Sequence, residues 1–288
     1  MKIITSVVNN PIFIELQDYL LKKYVRGGDY EFIVFNDAKK YPDYTNDGDI
    51  SIRDEIIRTC ERLGIRCINM DNEKYRSINN AAIRTSIAMN EIYKYQMENP
   101  DRYLIIDSDM FLIDYMDINK YDGYNIAIVL QSRDEHRYMW NGLIYMDMRD
   151  VNNFRDMNWF LTEKTDVGGM TRECLERYMK MDEESGYKIP TMNEIRWNKD
   201  GIYNTNHIYY IRHLWSLTWD KEEMPSNLGD REELMRYLME DMRNRDGKYF
   251  CEIYDNIFLH YRCGGNWKGE GMSFHREMTE KLRNILMI

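Results

Sequence analysis

Two aspartates one residue apart, Asp107-Ser108-Asp109, close the apolar run Tyr103-Leu104-Ile105-Ile106. Side chains two apart in an extended chain project to one face, so this spacing would set two carboxylates side by side. Such hard oxygen donors suit Mg2+ or Mn2+. A cation held there would bridge two phosphates and neutralise the charge that builds on a leaving diphosphate. A second copy, Asp47-Gly48-Asp49, stands in a polar loop with no apolar strand before it and reads as turn chemistry. Strand context separates the two.

The third donor is His260 in Phe258-Leu259-His260-Tyr261-Arg262-Cys263-Gly264-Gly265-Asn266-Trp267-Lys268. A neutral imidazole ligates divalent ions well. Gly264 and Gly265 would let the backbone approach phosphate oxygens, and Arg262 and Lys268 add positive charge beside them. His136, His207, His213 and His275 lack such company and read as structural. The expected metal ligands are therefore Asp107, Asp109 and His260; the alternatives are that the aspartates only end a strand in a turn and that His260 is a satisfied core residue.

The elements that must position these residues alternate. Strands are predicted over 2–8, 30–35, 65–70 and 103–106, with helices over 11–24, 51–63 and 77–97. Ser51 is a possible N-cap and Gly64 the matching stop. Strand-helix-strand repeats imply a mainly parallel sheet with helices on both faces. Ligands of such sheets bind at the carboxyl ends of the strands, where Asp107 and Asp109 fall. Further strands are predicted over 125–130 and 143–148, and helices over 171–181 and 231–243. No Pro/Ser-rich linker, internal repeat or low-complexity tract divides the chain. It is expected to be one domain, 1–288, with two subregions, 1–113 and 114–288.

Bulk properties bound the partners. With 288 residues, 43% apolar and 31% charged, the chain can bury a sizeable core. It holds no apolar run long enough for a membrane span and no leader-like N-terminus, so a cytoplasmic location is expected. A net charge of −10 disfavours nucleic acid. The five cysteines show no metal-type spacing and read as free thiols.

A strand ending in Asp-X-Asp after a nucleotide-binding first half resembles the GT-A fold of glycosyltransferases, a Rossmann-like mainly parallel sheet. The segment from His260 is similar to the His-X-X-Gly-X-X-Lys-Pro-Trp segment of the glycogenin-like and bacterial galactosyltransferase family, although Trp267 here precedes Lys268 and no proline follows. The resemblance implies a metal-dependent glycosyltransferase using Mn2+ (or Mg2+), a nucleotide diphosphate sugar as donor, most naturally a UDP-sugar, and a glycan or glycoconjugate acceptor. It further implies retention of anomeric configuration, with 1–113 as the nucleotide-binding part and 114–288 as the acceptor-binding and C-terminal closing part. By the same resemblance Thr5, Ser6, Val7 and Asp37 line the nucleoside, although Asp37 reads equally as a strand-end turn residue. Asn80 and Arg84 share a helix face near the phosphates, where Arg84 reads equally as a solvated arginine. Ser108 and Lys268 join the donor site. Asn141, of Trp140-Asn141-Gly142, and Asp166, before Val167-Gly168-Gly169, approach the donor sugar; Asp166 is alternatively a helix N-cap. Asp166, Asn141 and Arg84 are the expected catalytic residues. The aromatic stretch Tyr203 to Trp219 is either an acceptor platform or a satellite hydrophobic cluster.

Three other classes compete. A haloacid-dehalogenase-type phosphatase also uses strand-Asp-X-Asp, but expects the motif early and Thr or Val where this chain has Phe111. A sugar nucleotidyltransferase expects a glycine-rich phosphate loop where this chain has Val7-Val8-Asn9-Asn10. A non-catalytic nucleotide-sugar-binding protein would hold the donor without releasing the nucleotide.

Overall fold

A computed structural model describes residues 1–38, 51–75, 78, 80–198, 203–215, 224–239, 251–262, 264 and 271–287. The chain opens with β1 (Lys2–Val7), α1 (Ile12–Tyr24), β2 (Val25–Arg26) and β3 (Glu31–Asn36), then α2 (Ile52–Leu63), β4 (Arg66–Asn69), α3 (Ala81–Glu98) and β5 (Arg102–Asp107). Local chemistry sets these limits. The Ser51 hydroxyl accepts from the Asp54 N–H and starts α2, and Gly64 ends it at φ 70°, a left-handed conformation suited to glycine. The helix expected over 77–97 begins only at Ala81, because the Asn80 side chain accepts from the N–H groups of Ala82 and Ile83 and so caps it.

Short strands β6 (Met110–Leu112) and β7 (Met116–Asp117) follow, then the hairpin β8 (Ile126–Arg133) and β9 (His136–Asp147). Helices α4 (Arg172–Glu184) and α5 (Met192–Trp197) precede β10 (Tyr203–Asn204), β11 (Ile208–Tyr210) and β12 (His213–Trp215). The chain closes with α6 (Glu232–Met239), β13 (Glu252–Tyr254), β14 (Phe258–His260) and α7 (Gly271–Leu286).

The main sheet runs β10-β11-β8-β9-β5-β1-β3-β4 among the described residues. Four of its pairings are parallel and three antiparallel, so it is mixed and mainly parallel. Helices cover both faces. Phe13, Leu16 and Leu20 of α1 pack on one face with Ile56 of α2 and Leu282 of α7. Ala88 and Ile92 of α3 pack on the other with Leu175 of α4 and Ile195 of α5. Each large apolar side chain buried this way contributes about 1.5–3 kcal/mol. The expected α/β sheet with helices on both faces is therefore present.

Two features of this topology bear on chemistry. From β1 the chain steps outward to β3 and β4, then returns to lay β5 on the opposite side of β1. The direction of progression thus reverses between β1 and β5, where open α/β sheets leave a crevice at their carboxyl ends. Ser6 of β1 sits in register with Asp107 of β5 at that point. The second feature is a small antiparallel sheet, β12-β13-β14-β6, whose last strand leaves directly from the Asp107-Ser108-Asp109 turn.

Candidate active site

Asp107 is the last residue of β5, and Asp109 lies in the tight turn before β6. The turn, rather than extended-chain alternation, brings the pair together. It is held from below by Gln17 of α1, whose Nε2 donates to the Asp107 carbonyl at 2.8 Å and the Met110 carbonyl at 3.0 Å. Antiparallel pairing then sets His260 opposite Met110, and the Tyr261 N–H donates to the Asp109 carbonyl at 2.8 Å. Residues 150 positions apart in sequence are joined by one strand pairing.

Ligand atoms of Asp107, Asp109 and His260 all lie within 4.8 Å of one another, the one such acid-histidine-cysteine group among the described residues. His260 Nε2 is 3.1 Å from Asp109 Oδ1 and 4.0 Å from Asp107 Oδ2. The Gly264 N–H donates to Asp109 Oδ2 at 2.7 Å. A Cβ at Gly264 would stand 2.5 Å from the Phe13 ring and 2.9 Å from Asp109 Cβ, so this close approach requires glycine. Two oxygen donors and one imidazole nitrogen, with Asp107 37% exposed toward the cleft, fit one hard divalent cation.

Charge at the site is unbalanced. Burial and the Asp109 carboxylate push the Asp107 carboxyl up to about 6, against the pull of His260. Burial also opposes ionisation of Asp109, but His260 and the Gly264 N–H outweigh it and hold Asp109 below the usual carboxylate range. Burial likewise disfavours an imidazolium at His260, yet Asp109 and Glu252 raise it well above the ordinary histidine value.

A cleft of about 580 Å³ opens over these residues. Asp107, Ser108, Asp109, Asp166 and His260 line it, together with Arg133, Tyr138, Trp140, Met192 and Arg262. Asp166 and Arg133 form an exposed ion pair at 3.6 Å. Asp166 does not cap α4, which has no side-chain cap. The two glycines after Asp166 serve packing: Gly168 has φ 93°, and its Cβ would meet the Met139 carbonyl at 2.2 Å.

Trp140, Asn141 and Gly142 fall where β9 loses its pairing. Leu130 pairs with Met139 and Ile128 with Ile144, leaving extra residues on β9 between them. Such bulges re-aim side chains. Here Trp140 folds over Gly142, whose Cβ would stand 2.2 Å from the indole. The indole stacks on Tyr254 at 4.9 Å and meets the His260 ring at 5.3 Å. Asn141 sits in the bulge but is not among the residues lining the cleft.

The other expected donor residues are not brought to this cleft. Thr5 and Val7 are fully buried, and Ser6 is partly exposed beside Asp107. Asp37 is buried and accepts from Tyr75 Oη at 2.6 Å and Asn72 Nδ2 at 3.2 Å. Arg84 donates to the Ile78 carbonyl at 2.6 Å and lies near Asp37. Asn80 caps α3. Gly264 lines a neighbouring cavity of about 520 Å³ with Asn9, Asn10, Thr59 and Arg276. Gly265 and Lys268 lie outside the described residues, as do Asp47, Asp49, Cys263 and Trp219. In the aromatic stretch, Tyr209 and Tyr210 are buried in the main sheet, which favours the hydrophobic cluster there. Cys60, Cys67, Cys174 and Cys251 are free thiols. Among the described residues no helix is long and apolar enough to cross a membrane.

Sequence reasoning missed Glu252. It is 4% exposed and contacts His260 Nδ1 at 2.9 Å. The signal was a lone acid inside the apolar run Phe250-Cys251-Glu252-Ile253-Tyr254. His213, read as structural, also reaches the site, with Nε2 3.3 Å from the same carboxylate.

No family model matches this sequence, and no curated protein matches it. Among solved structures, the chain is similar to the galactosyltransferase LgtC in complex with donor and acceptor sugar analogues: 14% identity, 62% of this chain and 66% of that chain, TM-score 0.36. It is also similar to an active-site mutant of LgtC, with 13% identity, 73% of this chain and 87% of that one, TM-score 0.42. A third is the WbbM bifunctional glycosyltransferase in its apo form: 12% identity, 56% of this chain and 35% of that one, TM-score 0.35. The matched part thus spans just under two thirds of the first LgtC chain and about a third of WbbM. Overlaps this partial add nothing to the chemistry, which rests on this chain's own residues.

Proposed function

We propose that the chain is a glycosyltransferase that moves a sugar from a nucleotide diphosphate sugar to a glycan or glycoconjugate acceptor, and that it depends on Mn2+ or Mg2+. A UDP-sugar is the favoured donor, and retention the favoured outcome. One observation carries the proposal: Asp107, Asp109 and His260 converge at the reversal of the sheet with their ligand atoms within 4.8 Å. When bound, a divalent ion supplies positive charge against the leaving diphosphate.

The chain's own residues would do the rest. Asp107, Asp109 and His260 would hold the ion, and Gln17 and Gly264 fix the aspartates. Arg133 and Arg262 bring cationic groups into a cleft of an otherwise acidic protein. Trp140, partly exposed at the cleft, offers ring surface against which a sugar could pack. Asp166, about half exposed at the cleft, would hold donor hydroxyls or stand beside the anomeric carbon. Orienting acceptor and donor within about 580 Å³ would supply much of the rate. Roles for Thr5, Ser6, Val7, Asp37, Asn80, Arg84, Asn141, Gly265 and Lys268 toward the donor rest on the family resemblance.

The test is release of free nucleoside diphosphate from a panel of nucleotide sugars with and without Mn2+. Turnover that needs Mn2+ and is lost in Asp109→Ala is expected. Turnover unchanged in Asp109→Ala would refute the metal role, and donor binding without nucleotide release would leave a binding protein instead.

A further inference from the structure

His260 can coordinate a cation through either ring nitrogen, and the two choices put the ion in different places. The ring is clamped by the Trp140 indole at 5.3 Å and by Tyr254 at 5.9 Å. A half-turn of the imidazole fits the same clamp but exchanges each nitrogen for a C–H. Packing therefore fixes the plane of the ring and leaves its sense undecided.

Among the described residues, the carboxylate on the far side of the ring is Glu252, whose Oε2 lies 2.9 Å from Nδ1. Glu252 is paired with His260 in register across β13 and β14 and sits at the centre of the small sheet. The Tyr254 hydroxyl donates to the same oxygen at 2.9 Å, and His213 Nε2 lies 3.3 Å from the other. The Arg262 guanidinium stands 3.8 Å away. A buried charge with this many partners is held firmly. Ring reversal would set a C–H against it and remove a hydrogen bond that the buried carboxylate needs.

Resting on the reading of Asp107, Asp109 and His260 as cation ligands, we propose that Glu252 is the positioning residue of that site. With the cation bound in place of the Nε2 proton, it would accept from Nδ1–H of His260, fix the neutral tautomer with its lone pair on Nε2, and aim that lone pair at the ion held by the two aspartates. The negative charge also makes the imidazole a stronger donor. His213 acts one step further out by holding the Glu252 carboxylate. An ordinary staple joining β12, β13 and β14 would use the same contacts, but would affect stability alone.

The two roles separate in Mn2+ binding, measured from the free-ion electron paramagnetic resonance signal with the full chain. Glu252→Gln is expected to fold and to bind Mn2+ about 10- to 100-fold more weakly than wild type. Glu252→Leu should be weaker still, and His213→Gln should show a smaller loss in the same direction. Mn2+ affinity unchanged in a folded Glu252→Gln protein would overturn the inference while leaving the metal site intact. Wild-type protein that binds no Mn2+ would overturn both. A measurement on wild type needs no variant: with Zn2+ as a diamagnetic probe, nitrogen NMR of His260 should report a protonated Nδ1. A protonated Nε2 in the Zn2+-loaded protein would overturn the inference.

Discussion

Asp37 and Asp109 stand on either side of β1, each just past the carboxyl end of a parallel strand and each almost wholly buried, yet the chain surrounds them differently. Asp37 receives the Tyr75 hydroxyl and the Asn72 amide and has Arg84 and Arg53 nearby. Its partners all come from the chain, and it resembles a finished polar cluster. Asp109 instead faces a second carboxylate, Asp107, and shares a single imidazole with it. A fold gains nothing from two acids packed together. The difference teaches that burial of an acid is not the mark of a site; burial with a neighbour of the same charge is.

The largest expected effect lies on the Asp109 side. Asp109→Asn keeps the shape and removes the charge, and nucleotide-sugar turnover should fall about 100- to 1,000-fold. Asp37→Asn should leave Mn2+ affinity unchanged, because its site is complete without an ion. An equal loss of Mn2+ binding in both variants would erase the contrast.

Acid titration sharpens the same contrast. Asp107 is pushed up to about 6, so in metal-free protein its contribution to stability is full below the ordinary carboxylate range and is lost as pH rises through about 6. A divalent ion takes the ionised form and competes with protons, which reverses that trend. Mn2+ should therefore raise Tm more near neutral pH than near about pH 5; at a hundredfold excess over the neutral-pH Kd the total stabilisation there is roughly 2.7 kcal/mol. Asp37 is also raised, through burial, so its contribution too is lost as pH rises through its folded value. That slope should not respond to Mn2+. Thermal scans across pH, with and without the ion, check both.

Gly264→Ala should cost about 1–3 kcal/mol in urea unfolding, since the added carbon meets Phe13 and Asp109. It should also weaken Mn2+ binding. Tyr75→Phe removes a donor from Asp37 and should cost a similar or smaller amount, about 1–2 kcal/mol, with Mn2+ affinity unmoved. The smallest stability effect belongs to Arg133→Ala. Its ion pair with Asp166 is exposed, so unfolding should shift by less than about 0.5 kcal/mol while the Michaelis constant for donor or acceptor rises.

Much of this was legible in the residues. Ser51 and Gly64 bracket α2 as their chemistry requires. The Asp107 and Asp109 pair was readable because it is local, and His260 because glycines and cations follow it. Helix α7 went unread, although Phe274, Met278, Leu282 and Leu286 recur at helical spacing. The first half of β9 was hidden by the charged hairpin Asp134-Glu135-His136-Arg137. Glu252 was beyond reach for a different reason. Its contact with His260 depends on the turn joining β13 to β14, where Asp255 and Asn256 take positive φ of 50° and 61°. These residue types tolerate that conformation, but nothing local says which side chains the resulting hairpin will pair.

Anomalous scattering at the manganese edge from crystals grown with Mn2+ tests the central claim most directly. One peak within coordination distance of a carboxylate oxygen from each of Asp107 and Asp109 and of His260 Nε2 is the expected result. Well-ordered side chains there and no peak, or a peak bound elsewhere, would contradict it.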